Sequence, residues 1–86
     1  MEILFKPTFV RQFNSLTGEL QKEAFEKIEL FKHIENHRQL RVHKLKGGLH
    51  DRYSFSVNYK FQIVFSYLSK NEAVLLAIGD HDVYEK

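Results

Sequence analysis

The sequence predicts one α+β domain: a short N-terminal strand and a helical hairpin packed on a mainly antiparallel sheet of four to five strands. Three observations predict it. Apolar residues recur at helical spacing until about Asn36, and they alternate with polar ones from Tyr53 onward. The whole sequence is 86 residues, room for a single core, so one domain is expected over 1–86.

Ile3-Leu4-Phe5 reads as the first strand, stopped by Pro7, which cannot continue a ladder. Thr8 offers a helix cap, after which Phe9, Phe13 and Leu16 fall on one helical face. Thr17-Gly18 breaks the run and offers a second cap. Leu20, Ala24, Ile28 and Phe31 then continue an apolar stripe, as two helices in a hairpin or one kinked helix. Arg41–Leu45 is a candidate strand before the Gly47-Gly48 break. Tyr53, Phe55 and Val57 alternate with Ser54, Ser56 and Asn58 in the manner of a half-buried strand. Asn58-Tyr59-Lys60 suits a tight turn, and Phe61, Ile63, Phe65 and Tyr67 line one face of the next strand. A second turn at Ser69-Lys70-Asn71 leads to Ala73–Ile78, apolar throughout, as befits a strand covered on both faces.

Composition narrows the function. Eight Phe and four Tyr supply a core, while the lack of Cys excludes disulfides, cysteine zinc sites and thiol nucleophiles. No apolar run approaches the roughly 18–20 residues of a membrane span, and Met1–Lys6 lacks a signal-peptide pattern. A cytoplasmic protein with no membrane partner is expected. The net charge of +2 hides an asymmetry. Between Arg38 and Lys70 seven basic residues face Asp51 alone, a net of +6, whereas the flanking segments carry −1 and −3. A basic middle of this kind suits an anionic partner such as nucleic acid; it equally suits a solvated sheet face.

No phosphate-binding glycine loop, nucleophile elbow or zinc-protease motif is present. Glu29, His33 and His37 recur every fourth residue, a spacing that metals use on helices, but histidines near a helix C-terminus have a simpler origin in the dipole. No metal and no cofactor is expected. Gly79-Asp80-His81-Asp82-Val83-Tyr84 follows the most buried strand, so a rigid element would hold His81 and Tyr84 as a catalytic platform. A polar chain end is also a common place for fraying. The third feature is the band Arg41, His43, Lys44, Lys46, His50, Arg52 and Lys60. Strand alternation sends Arg41, His43 and Leu45 to one face and Val42, Lys44 and Lys46 to the other.

In the order of these pieces the chain resembles the RelE/ParE superfamily of toxins from toxin–antitoxin pairs. The resemblance runs from the first strand through Leu45-Lys46-Gly47, Tyr53–Val57 and Ile63-Val64-Phe65 to Ile78–Tyr84. It implies a RelE-like fold, a cognate antitoxin that wraps the toxin, and a toxin–antitoxin complex that binds operator DNA through the antitoxin. RelE-like members are mRNA interferases, cutting mRNA in the ribosomal A site without metal; ParE-like members poison DNA gyrase. By this resemblance His81 and Tyr84 match the catalytic groups after the last strand. Lys44, Lys46, His50, Arg52 and Lys60 would hold RNA phosphates. Ser54 and Ser56 stand where such enzymes often carry lysines, and Gln62 stands where many carry arginine. Either Lys60 or Arg52 substitutes for that arginine, or catalysis is weak or absent.

Overall fold

A computed structural model of the chain describes residues 1–46 and 51–80. Its elements run β1 (Glu2–Phe5), α1 (Pro7–Asn14), α2 (Gly18–Phe31), a 3-10 turn (Ile34–Asn36), β2 (His43–Lys44), β3 (Tyr53–Ser56), β4 (Gln62–Ser69) and β5 (Glu72–Gly79).

Proline sets the start of α1. Pro7 occupies the first helical turn, where its missing N–H costs nothing and its fixed φ already suits a helix. Lys6 is therefore the N-cap, and Thr8 is not the cap its hydroxyl suggests: it lies inside the helix, accepting a 3.4 Å bond from Arg11. Thr17 does cap α2, its Oγ1 accepting from the Leu20 amide at 3.3 Å. The chain thus forms two helices, and the stripe expected of α2 buries Ala24, Ile28 and Phe31.

α2 ends at Phe31, earlier than the Glu29/His33/His37 spacing requires, so those three side chains do not share a helix face. Two of the chain's own side chains stop it. Asn36 Nδ2 donates to the Leu30 carbonyl at 3.0 Å, and His37 Nε2 donates to the Phe31 carbonyl at 2.8 Å. Both carbonyls belong to the last turn, and that of Leu30 also accepts from the His33 amide at 3.1 Å. The His37 ring also stacks on Phe31 at 4.7 Å.

The sheet has five strands in the order β1-β5-β4-β3-β2. β2 through β5 are antiparallel neighbours, while β1 lies parallel to β5 with Glu2 opposite Glu72. The helices cover one face, burying Phe9, Ala24, Ile28 and Phe31 against Phe55, Ile63, Phe65, Ala73, Leu75 and Ile78. The apolar run of β5 does not alternate cleanly. A register shift between Val64 and Phe65 sets Leu75 opposite Phe65 but Ala77 opposite Val64, leaving Leu76 as the extra residue. That bulge returns Ile78 to the helix side, where it is buried.

β2 is shorter than the expected Arg41–Leu45. Arg41 has φ 58°, the left-handed region, which interrupts a strand at that point. The segment still follows β3, with the Ser56 amide donating to the Leu40 carbonyl and the Leu45 amide to that of Arg52.

Candidate functional site: the sheet face opposite the helices

Because Tyr53 and Phe55 face the helices, Ser54 and Ser56 point to the other side of β3, with Gln62 and Val64 beside them on β4. Ser54 and Gln62 are buried. The Ser54 hydroxyl donates to Gln62 Oε1 at 2.8 Å, so two buried polar groups satisfy each other across the diagonal of the β3–β4 pair. A desolvated hydroxyl–amide pair carries no charge and neutralises no phosphate. The departures at Ser54 and Gln62 are thus one unit.

Gly79 lies opposite Gln62, and Gln62 opposite Ser56, so β5 ends beside this polar pair. His81 and Tyr84, the expected catalytic groups, lie outside the described residues, as does His50.

The expected phosphate-binding residues divide between the two ends of the β3–β4 hairpin. Lys60 sits in the turn at the end where β5 finishes. Asn58 Oδ1 accepts from the amides of Lys60 and Phe61, both at 2.8 Å, and Asn58 Nδ2 donates to Glu23 at 2.8 Å. Lys27 Nζ adds a 2.9 Å bond to the Val57 carbonyl, so α2 holds this turn from two sides. The Lys60 ammonium lies 5.9 Å from the centre of the Phe61 ring. Lys44, Lys46 and Arg52 gather at the other end, roughly 13 Å of strand away. Lys44 stands opposite Tyr53 and so shares the helix-side face, at the sheet's outer edge. Structure therefore brings Lys60 to the end of β5 and keeps Lys44, Lys46 and Arg52 apart from it.

His43 was one member of the basic band, with no role of its own in the sequence. It stands opposite Ser54 on the face away from the helices. Its Nδ1 lies 2.8 Å from the Arg41 carbonyl. Strand alternation could place it on a face but could not identify that face, since β2 is only two residues long.

Elsewhere the chemistry is thinner. Burial, with Tyr53 as a smaller contributor, raises the Tyr67 phenol above its ordinary value of 10.0. Tyr67 belongs to an aromatic group with Tyr53 and Phe65 on the helix side. A groove of about 700 Å³ between β1, α1 and α2 is lined by Phe5, Phe9, Val10, Phe13 and Phe25. No group of three metal-ligating side chains occurs among the described residues. No helix there is long and apolar enough to cross a membrane.

No protein-family model matches this chain, and no curated protein does either. Solved structures do. A conserved hypothetical protein from Helicobacter pylori superposes with a TM-score of 0.73 at 18% identity, covering 96% of this chain and 97% of that one. A chain of the YoeB–YefM complex from Staphylococcus aureus gives 0.73 at 18%, covering 94% and 97%. A chain of the archaeal RelE–RelB complex from Pyrococcus horikoshii gives 0.70 at 14%, covering 92% of each. The fold is that of small α+β toxins from toxin–antitoxin pairs. More particularly, it is the fold that the RelE and YoeB chains share, over 92% and 94% of this chain.

Proposed function

We propose that this protein is the toxin of a toxin–antitoxin pair and acts in the cytoplasm as a ribosome-dependent endoribonuclease, blocking translation by cutting mRNA in the A site. The observation that supports this reading most is likeness to YoeB and RelE chains over 94% and 92% of this one, at low identity. The sequence resemblance adds the catalytic tail. RNA brings its own nucleophile, the 2′-hydroxyl. The protein has only to remove that proton, stabilise the charge on phosphorus and protonate the leaving 5′-oxygen. In this reading His81 takes or gives one proton, since imidazole titrates near neutrality. Tyr84 orients the nucleotide or stacks on a base. In the same reading Lys60, in the turn near the end of β5, binds phosphate. Lys44, Lys46, His50 and Arg52 would grip the strand further out.

The partner in this reading is a cognate antitoxin, as in the relatives solved as toxin–antitoxin complexes. An acidic helical segment would complement the basic band between Arg38 and Lys70. The paired complex would bind operator DNA through the antitoxin.

Primer-extension mapping of mRNA in a translation assay tests the reading. His81→Ala is expected to slow cleavage by about 10²–10⁴-fold with the fold intact, the range general acid–base catalysis supplies. Tyr84→Ala is the companion variant. Cleavage by His81→Ala at the wild-type rate would sink the assignment.

The Ser54–Gln62 bond supports a second reading, because it places a neutral pair where the nucleases carry cations. In that reading the protein is a ParE-like toxin that binds DNA gyrase, or an impaired family member. Intact mRNA with blocked supercoiling would decide for the gyrase target.

A further inference from the structure

We propose that two copies of this chain join through β1, running antiparallel about a two-fold axis at Leu4, so that their sheets become one.

β1 is an edge strand with β5 on one side of it. The Glu2 and Lys6 amides donate to the Asn71 and Leu75 carbonyls at 2.7 and 3.0 Å. Even-numbered residues therefore turn their backbone groups to β5, while Ile3 and Phe5 turn theirs outward. No described residue bonds to those outward groups. Leu4 is 42% exposed and Phe5 49%, and an apolar edge of this kind is a template for another strand. The groove of about 700 Å³ borders β1 with Phe5 in its wall, so there is room beside the edge.

What the edge fits is its own copy. The segment reads Glu2-Ile3-Leu4-Phe5-Lys6, an acid and a base about three apolar residues, and Lys6 is still extended at φ −79° and ψ 150°. With the axis at Leu4, Glu2 of each copy faces Lys6 of the other, and Ile3 faces Phe5. Ile3 and Phe5 then exchange N–H···O=C bonds, which satisfies every outward group of both. Leu4 meets its counterpart on the axis, in the non-hydrogen-bonded position where side chains come closest. Leu4 stands opposite Val74, and Val74 opposite Ser66, so this contact lies on the sheet face away from the helices. Alternation puts Glu2 and Lys6 on that face too, flanking the leucines.

Other registers lose this match. An axis at Ile3 sets Glu2 against Leu4. An axis at Phe5 sets Lys6 against Leu4 and brings Pro7, which has no N–H, against Ile3. Parallel pairing in register opposes Glu2 to Glu2 and Lys6 to Lys6. The antiparallel contact uses the same patch on both copies, so it closes at two and leaves no β1 edge for a third.

The test needs neither RNA nor an antitoxin, so it succeeds or fails apart from the toxin reading. The chain has no cysteine, and introduced thiols therefore report register without background. Mild oxidation of the full-length Leu4→Cys variant should give a linked dimer, because Cα atoms in such a pair lie about 4.5 Å apart, within disulfide reach. Glu2→Cys alone and Lys6→Cys alone should stay unlinked, their own counterparts lying roughly 13 Å away, yet the two mixed should link to each other. Sedimentation velocity should show a wild-type dimer at micromolar concentrations. Glu2→Lys or Lys6→Glu should each weaken it about tenfold or more, and mixing the two should restore it as a heterodimer. Both side chains are exposed, and circular dichroism should show each variant folded. A wild type that is monomeric at every concentration would overturn the proposal, as would Glu2→Cys linking to itself as fast as Leu4→Cys. A dimer that the charge reversals leave within about threefold of wild type would lie on another surface and overturn it equally.

Discussion

Replacing Phe31 with alanine removes the ring on which three others close. Phe31 is fully buried; it stacks on Phe55 at 4.4 Å and on His37 at 4.7 Å, and meets Phe65 edge-on at 4.7 Å. Phe→Ala in a core costs about 3–5 kcal/mol, through lost transfer energy and the cavity left behind. Three ring contacts, each adding about 0.5–1.5 kcal/mol beyond area, put this site at the upper end, about 4–5 kcal/mol. A chain of 86 residues has a total stability of about 4–13 kcal/mol, so the variant approaches its unfolding limit. Urea denaturation followed by circular dichroism measures it. With a slope of about 1.5 kcal/mol per molar, the midpoint should fall by about 3 M. The bond from His37 to the Phe31 carbonyl involves backbone and survives the substitution, so the loss reports packing. Phe25→Ala is the control: its side chain is 57% exposed, and its midpoint should move by under about 0.5 kcal/mol equivalent. A shift for Phe31→Ala below about 1 kcal/mol, with the slope unchanged, would refute the claim that this ring organises the core.

Two further predictions follow from local chemistry. Thr17→Ala should cost about 1 kcal/mol by leaving the Leu20 amide without its cap, while Thr8→Ala should be neutral or slightly stabilising; paired thermal melts compare them, and equal losses would contradict the assigned caps. Burial holds the Tyr67 phenol above 10.0, so the folded chain keeps a proton that the unfolded chain releases. The stability this supplies is whole below about pH 10 and lost as pH rises through the folded value. Melting temperatures between pH 9 and 11.5 should fall less steeply for Tyr67→Phe, and identical slopes would refute this.

Local periodicity carried most of the fold. The stripe Leu20, Ala24, Ile28, Phe31 and the alternation from Tyr53 through Tyr67 need only a helix and strands to appear, and both did. What sequence could not give was register. The parallel partnership of β1 joins residues far apart in the chain, and no local pattern encodes it. The bulge at Leu76 is invisible in a run where every residue is apolar. Pro7 was a readable signal for the start of α1, since its place just inside a helix is the preferred one, and Thr8 drew attention from it. At the candidate site the residues were named but not their company. Ser54 and Gln62 stood out as two separate departures, and only pairing across β3 and β4 makes them one hydrogen bond. The basic band looked continuous because Lys44 and Lys60 are near in sequence; the hairpin carries them to opposite ends. The proposed partner of this face, the segment with His81 and Tyr84, lies outside the described residues.

The alignment of β1 with β5 sets a timetable for biosynthesis. Ile3 sits opposite Ala73 and Phe5 opposite Leu75, so β1 docks on a strand made only after both helices and the other strands. Until β5 has emerged, the nascent N-terminal strand has no native neighbour to receive its amides and carbonyls. Helices α1 and α2 can form in the meantime, because their contacts are short-range. Completion of the sheet therefore waits for β5, and a fragment released before it lacks the strand against which β1 must close.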